Sequence, residues 1–132
     1  MANNTGYNGN IGPKELPENY VDIAERHMNQ CFRSITTSKI RNLLSLVIDS
    51  YQSESRRTAD EITLETSEAL KNMRVRVVYE MGRDNWNTGK FVRETELLQY
   101  LAGIQDRRKA FLRFFHYMEA LVAYHKYYGG RD

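Results

Sequence analysis

Apolar residues recur every three or four positions along most of the chain after residue 16, a spacing that aligns them on one face of an α-helix. Polar or glycine-containing segments divide this pattern into five stretches. The predicted helices span about residues 18–32, 36–51, 62–81, 91–104 and 106–128. The sequence therefore predicts an all-α fold, a compact and mainly five-helix bundle.

The first 16 residues do not share this pattern. They are rich in Asn and Gly, contain Pro13 and show no hydrophobic period. Such a composition favours a flexible segment over a packed one. We therefore expect residues 1–16 to form a disordered tail and residues 17–132 to form a single helical-bundle domain, for which a chain of 132 residues is long enough.

The last predicted helix is apolar around an unusually large part of its circumference. Its inward set is Phe111, Phe114, Phe115, Met118, Leu121, Val122, His125 and Tyr128. A second apolar strip beside this set contains Ala110, Tyr117, Ala120, Tyr124 and Tyr127. A helix of this kind belongs at the centre of a bundle or in a contact between subunits. We therefore expect the chain to self-associate through an aromatic surface.

The residues that catalysis or metal binding requires do not come together in this sequence. Cys31 is the only cysteine, which excludes an internal disulfide and a Cys-rich zinc site and fits a reducing cytoplasm. His116 and His125 are nine residues apart, so they point to opposite faces of one helix. Phosphate-binding loops, zinc-protease motifs and nucleophile elbows are absent. We expect no catalytic residue, no metal and no cofactor.

Two further observations bear on where the protein works and what it contacts. No stretch approaches the roughly 18 apolar residues that a membrane span requires, and the start of the chain lacks the apolar core of a secretory signal. We therefore expect a cytoplasmic protein without membrane contact. The formal net charge is only +2, but residues 71–113 contain ten cations against five acids, a local net charge of +5. This is a moderate basic bias, although the net charge of the whole chain does not by itself indicate a nucleic-acid binder.

The start of the second predicted helix has an unusual charge. Thr36, Thr37 and Ser38 can each cap a helix start, and Lys39 and Arg41 follow them. Helix starts usually favour Asp or Glu, because their free amides carry a positive partial charge. Free amides, hydroxyl groups and two cations together indicate a phosphate site. The alternative is that both cations are merely solvated at an exposed helix end.

A second basic cluster surrounds the end of the third predicted helix and the start of the fourth. Its members are Arg74, Arg76, Arg83, Lys90 and Arg93. If the two helices pack antiparallel, these cations face one groove, which would follow a phosphate backbone without reading its bases. The alternative is a solvated face, partly paired with Glu80, Asp84 and Glu94. Trp86 lies in the turn between the helices, where packing is a more common role than stacking on a base.

Four motifs occur in order along residues 18–130. They are Asn19-Tyr20-Val21, Thr36-Thr37-Ser38-Lys39-Ile40-Arg41-Asn42-Leu43-Leu44, Tyr79-Glu80-Met81-Gly82-Arg83, and the stretch from Met118 to Gly130. In this combination the sequence resembles the small subunit of the type III-A CRISPR effector, which is subunit two of the Csm complex. The last motif, with its Glu-Ala-Leu-Val-Ala-Tyr-His core and double glycine, is the most specific of the four.

The resemblance implies a helical subunit that is present in several copies. These copies would stack beside the backbone subunits that hold the CRISPR RNA, and would contact guide and target RNA without sequence preference. RNA cleavage would belong to the backbone subunit, and DNA cleavage and cyclic oligoadenylate synthesis to the large polymerase-like subunit. The Asn/Gly-rich start is not part of the family pattern.

The two basic clusters and the resemblance together lead to one set of predicted RNA-binding residues: Lys39, Arg41, Arg76, Arg83 and Lys90. Two other interpretations remain open at this point. The chain could be a helical protein-protein adaptor with no direct contact with RNA, or a small helical RNA-processing enzyme. Salt-dependent RNA binding separates the first interpretation from an RNA-contacting subunit, and RNA cleavage by the purified chain would support the second.

Overall fold

The computed structural model describes residues 12–132 and shows seven α-helices in this range. They are α1 (Tyr20–Cys31), α2 (Thr37–Ser45), α3 (Ile48–Ser55), α4 (Leu64–Arg83), α5 (Thr88–Thr95), α6 (Leu97–Ala102) and α7 (Arg108–Tyr127). A 3₁₀ turn, Phe32–Ser34, joins α1 to α2. The described residues form no strand, and Glu61 and Arg107 make only an isolated antiparallel bridge. The predicted all-α fold is confirmed.

Two of the five predicted helical stretches are each divided into two helices. The second is interrupted after Ser45, where the main-chain N–H of Leu46 donates to the Leu43 oxygen at 3.2 Å, a tighter turn than an α-helix makes. The fourth is interrupted at Glu96, whose φ of 55° lies in the left-handed region. Both breaks leave the apolar spacing nearly intact. Five predicted stretches therefore correspond to seven helices.

Helix α7 lies at the centre of the fold, packed against α1, α2 and α3. Most side chains of its inward set are buried, although Val122 and Tyr128 are only partly buried, and Tyr117 of the second strip is also buried. Of the residues in that strip, Tyr127 is the one whose side chain is largely exposed, at 74%. The bundle itself therefore covers most of the aromatic surface through which we expected self-association, and that surface is not free for a partner.

The segment that precedes α1 contacts the helices, although it belongs to the predicted tail. The Lys14 main-chain N–H donates to the Gln99 oxygen at 3.0 Å, and the Lys14 ammonium group pairs with Glu96 at 2.7 Å. Leu16 is buried in the core. Residues 14–16 are thus packed against the helices, and most of the predicted tail falls on the residues before them. Residues 1–11 lie outside the described residues.

A buried carboxylate joins the start of α4 to its neighbours. Glu54 is fully buried, and it accepts hydrogen bonds from the Thr63 N–H at 2.9 Å, the Thr66 hydroxyl at 2.7 Å and the Arg57 guanidinium at 2.6 Å. Burial opposes ionisation, but these donors outweigh it, so the pKa of Glu54 is lowered from its ordinary value. The guanidinium of Arg108 donates to the Glu54 main-chain oxygen at 2.9 Å. This network ties α3, α4 and α7 together.

Candidate nucleic-acid interface

The amides at the start of α2 are already bonded within the protein. The Lys39 N–H donates to the Thr36 hydroxyl at 3.2 Å. The N–H groups of Thr37 and Ser38 donate to the main-chain oxygens of Arg131 and Asp132, at 2.8 and 3.2 Å. The prediction of free amides at this helix start is therefore wrong. A phosphate in this region would have to be bound by side chains.

Three of the five predicted RNA-binding residues line one cleft, formed where α2, α4 and α5 meet. Its lining residues are Ile35, Lys39, Asn42, Leu43, Arg76, Glu80, Arg83 and Thr88. Three cationic side chains therefore line this cleft together with one acidic side chain, that of Glu80. The cleft has a volume of about 190 Å³, which is below the roughly 300–1,000 Å³ of typical small-molecule sites. Its size suits one phosphate group of a longer chain better than an entire small substrate.

Lys39 is only loosely held in this cleft. Its Nζ lies 3.6 Å from the Asp84 carboxylate and 3.5 Å from the Thr88 hydroxyl, both at the long end for polar contacts. The pKa of Asp84 is lowered, mainly by the hydrogen bond from the Asn87 main-chain N–H and to a smaller extent by the charge of Lys39. Asp84 therefore has support for its charge without Lys39, and the ammonium group can turn to another anion.

The two arginines of the cleft are also available to an anion. Arg76 and Arg83 are seven residues apart on α4, two turns along the same side of the helix. Arg83 forms an ion pair with Glu80 at 3.6 Å and is 62% exposed, so this pair is weak. None of the ion pairs formed within residues 12–132 involves Arg76. Both guanidinium groups keep donors for a phosphate oxygen.

Arg41 and Lys90 lie outside this cleft. Arg41 lines a different groove, between α2 and α7, together with Glu119 and Lys126. Lys90 follows the cleft residue Thr88 by two positions on α5, which turns it about 200° around the helix. Lys90 lies near α1 instead, where its charge acts to lower the pKa of the Cys31 thiol. The structure thus separates these two cations from Lys39, Arg76 and Arg83, and their contact with RNA stays a prediction.

The reactive side chains of the described residues have structural partners. Burial, with a contribution from the charge of Glu94, raises the pKa of Cys31 to about 12, so this thiol is not a nucleophile at neutral pH. His125 is buried between the Thr37 hydroxyl, at 3.0 Å, and the Ile35 main-chain oxygen, at 2.7 Å. Within residues 12–132, no group of three or more His, Cys, Asp or Glu side chains is arranged to hold a metal ion.

A second cavity of the described chain, about 390 Å³, lies between residues 14–16 and the helices α6 and α7. Two of the cations that line it already hold this segment. Arg107 pairs with Glu15 at 2.7 Å, and Arg113 donates to the Leu16 main-chain oxygen at 3.0 Å. Sequence reasoning placed both arginines in a general basic bias and did not find this role. Their partners come from the segment assigned to the tail, which has no periodic pattern.

No helix among the described residues is both long and apolar enough to cross a bilayer. The fold and the cleft define a small helical protein whose basic residues converge between three helices. The family model for Csm2 of type III-A matches residues 14–131. Lys14, the residue at which the match begins, donates its main-chain N–H to the Gln99 oxygen of α6.

Three curated relatives agree with this match, and each is named CRISPR system Cms protein Csm2. The protein from Streptococcus thermophilus is 40% identical over 121 residues, which cover 87% of this chain and 95% of that protein. The protein from Mycobacterium tuberculosis strain H37Rv is 39% identical over 98 residues, 74% of this chain and 78% of that protein. The protein from Enterococcus italicus is 31% identical over 123 residues, 90% and 87% of the two chains.

The chain therefore belongs to the Csm2 family of type III-A. This confirms the resemblance that the four sequence motifs indicated.

Proposed function

We propose that the chain is a non-catalytic small subunit of a type III-A CRISPR effector, and that it contacts the backbone of guide and target RNA without reading the bases. Membership of the Csm2 family supports a place in such an effector. The observation that carries the RNA contact is the convergence of Lys39, Arg76 and Arg83 on one small cleft.

The chemistry of this cleft favours phosphate over bases. Phosphate contacts orient a protein on a nucleic acid, whereas specificity comes from groups that reach base edges. The cleft presents three cationic side chains, two of which have only long ion pairs to give up. When a phosphate enters the cleft, each of these two cations exchanges a weak ion pair for a contact with a full negative charge. Binding of this kind releases counterions and therefore depends on salt and not on sequence.

The proposed partners are the CRISPR RNA, its target RNA and the other subunits of the Csm complex, including the backbone and the large polymerase-like subunits. We also propose that several copies of the chain assemble in one effector. Because α7 buries most of its aromatic residues inside the bundle, contacts between subunits have to use other surfaces.

RNA binding tests this proposal most simply. The cleft variant carries Lys39→Ala, Arg76→Ala and Arg83→Ala. The control variant carries Arg26→Ala, Arg56→Ala and Lys109→Ala, which removes the same charge from exposed positions outside the cleft. Fluorescence anisotropy with two unrelated single-stranded RNAs should show a large loss of affinity for the cleft variant, similar for both RNAs. The control variant should lose much less.

Two outcomes would contradict the proposal. Equal losses in the two variants would mean that RNA responds to net charge and not to the cleft. A loss confined to one RNA sequence would indicate base readout.

A parallel incubation of the purified chain with RNA and with single-stranded DNA, in Mg²⁺ or Mn²⁺, should leave both intact. Reproducible cleavage that disappears on replacing His116 or His125 would show that the chain is an enzyme.

A further inference from the structure

Helix α4 is buried along only one side. Its inward positions are Thr66, Leu70, Met73, Val77 and Met81. The opposite side of its second half carries apolar residues that the rest of the described chain leaves open: Val75 is 67% exposed, Val78 52% and Tyr79 58%. Nothing lies within 4 Å of the position that a side chain at Gly82 would take. Exposed apolar residues that adjoin one another commonly mark an interaction surface.

These four residues form a continuous ridge. Offsets of three, four and seven residues place Val75, Val78, Tyr79 and Gly82 within about 100° of one another around the helix. We call this ridge the α4 stripe. The other large exposed apolar residues outside α4 are Val21, Leu46, Ile48, Trp86 and Tyr127, and they are spread over other elements. The stripe is thus the longest apolar ridge that the described helices present to solvent.

Cations flank the stripe on both sides. Arg74 lies on one side, next to the groove shared with α6. Arg76 and Arg83 lie on the other side, at the edge of the RNA cleft. The guanidinium of Arg83 also lies 5.7 Å from the centre of the Tyr79 ring. A partner that covers the ridge therefore meets positive charge along both of its edges.

We propose that the α4 stripe docks an amphipathic helix of another protein subunit, with an apolar ridge flanked by acidic side chains. An apolar ridge excludes water from the valines, and carboxylates beside it complement Arg74, the flanking arginine that lies outside the RNA cleft. This inference rests on the proposed place of the chain in an assembly. It does not depend on the contact of the cleft with RNA.

The composition of the stripe disfavours the two other occupants. Valine side chains can neither stack on bases nor donate to phosphates, so RNA would desolvate charged groups against them without compensation. Two copies of the chain that met stripe to stripe would bring Arg74 and Arg76 against the same residues of the second copy, and such like-charge contacts are unfavourable. An acidic partner helix has neither disadvantage.

Photocrosslinking in the assembled complex tests the proposal. A tagged full-length chain with a benzophenone amino acid at Val78 is expressed in its native cells, irradiated and purified, and its adducts are identified by mass spectrometry. The matched control places the same group at Leu64, which is also on α4 and is 87% exposed but lies outside the stripe. We expect the Val78 position to form an adduct with a peptide of another protein that combines helically spaced apolar residues with several carboxylates.

Each other result would overturn the proposal: an adduct with RNA, an adduct with a second copy of the chain, or a yield at Val78 no higher than at Leu64. Adding Arg74→Glu, which lies outside the RNA cleft, tests the charge complementarity and should reduce the adduct at least tenfold while the cleft still binds RNA. An unchanged yield would refute the acidic partner. If the cleft variant keeps full RNA binding and the adduct still forms, the proposed contact of the cleft with RNA fails and this inference stands.

Discussion

Helices α4 and α7 have the same length, 20 residues each, but opposite roles. Helix α7 buries residues over about half of its circumference, including Phe111, Phe115 and Tyr117. Helix α4 buries a single line of residues and exposes cations and an apolar ridge on its other sides. The difference shows that apolar character along a helix does not locate an interface by itself. We propose that the interfaces of this chain lie where apolar and charged groups remain uncovered after the bundle has formed.

Truncation of one large side chain on each helix should reveal the largest difference between α4 and α7. Phe114 of α7 is fully buried, so Phe114→Ala should lower the free energy of unfolding by about 3–5 kcal/mol. Val78→Ala on the exposed side of α4 should change it by less than about 0.5 kcal/mol. Urea denaturation followed by circular dichroism measures both. Similar losses for the two variants would show that α4 is packed on both sides.

Substitution of two glycines, one packed against residue 14 and one open to solvent, gives a second comparison. A Cβ at Gly103 would lie 1.9 Å from the Lys14 main-chain oxygen, so Gly103→Ala must displace residues 14–16 and should cost about 1–3 kcal/mol of stability. A Cβ at Gly82 of α4 meets nothing, and Gly82→Ala should stabilise the helix by up to about 1 kcal/mol. Hydrogen exchange should also accelerate at the Lys14 amide in the first variant. A Gly103→Ala protein with wild-type stability would contradict the packing of residues 14–16.

The buried carboxylate that joins α4 to α7 gives a prediction about pH. Because the pKa of Glu54 is lowered in the folded state, its ionised form stabilises the protein above its unfolded pKa of about 4.5, and this stability disappears as the pH falls through the folded value. Glu54→Gln should cost about 1–3 kcal/mol at pH 7. The difference between wild type and variant should shrink below pH 4.5.

Denaturation curves between pH 7 and pH 3 provide this measurement, with Glu68→Gln on the exposed side of α4 as the control. The control should show no comparable loss at pH 7. A wild-type minus Glu54→Gln difference that is constant across this pH range would show that the carboxylate does not have to be ionised to stabilise the fold.

The sequence predicted the helical stretches well because apolar spacing depends only on which face is buried. It could not reveal the break at Glu96, since the left-handed conformation there is accompanied by a nonlocal ion pair with Lys14. The hydrogen bonds of the amides at the start of α2 were missed because they are also nonlocal. Their acceptors, Arg131 and Asp132, lie 94 residues further along the chain.

The candidate site was predictable in part. Cations at Lys39, Arg76 and Arg83 are visible in the sequence, but their convergence depends on the packing of α2, α4 and α5. The same packing turns Arg41 and Lys90 away from the cleft. The α4 stripe could not be found from apolar spacing alone, because Val77 and Val78 are adjacent and equally apolar, whereas the structure buries Val77 and exposes Val78.

The salt dependence of RNA binding measures the proposed contacts between the cleft and RNA phosphates. For a single-stranded RNA, the slope of log affinity against log salt should become shallower by about 0.7 for each phosphate that the protein no longer neutralises, or about 2 for the cleft variant. Single replacements of Arg41 and Lys90 in the same titration show whether RNA also reaches the faces of α2 and α5 outside the cleft. The control variant should keep the wild-type slope. Equal slopes for wild type and the cleft variant would contradict the proposed phosphate contacts.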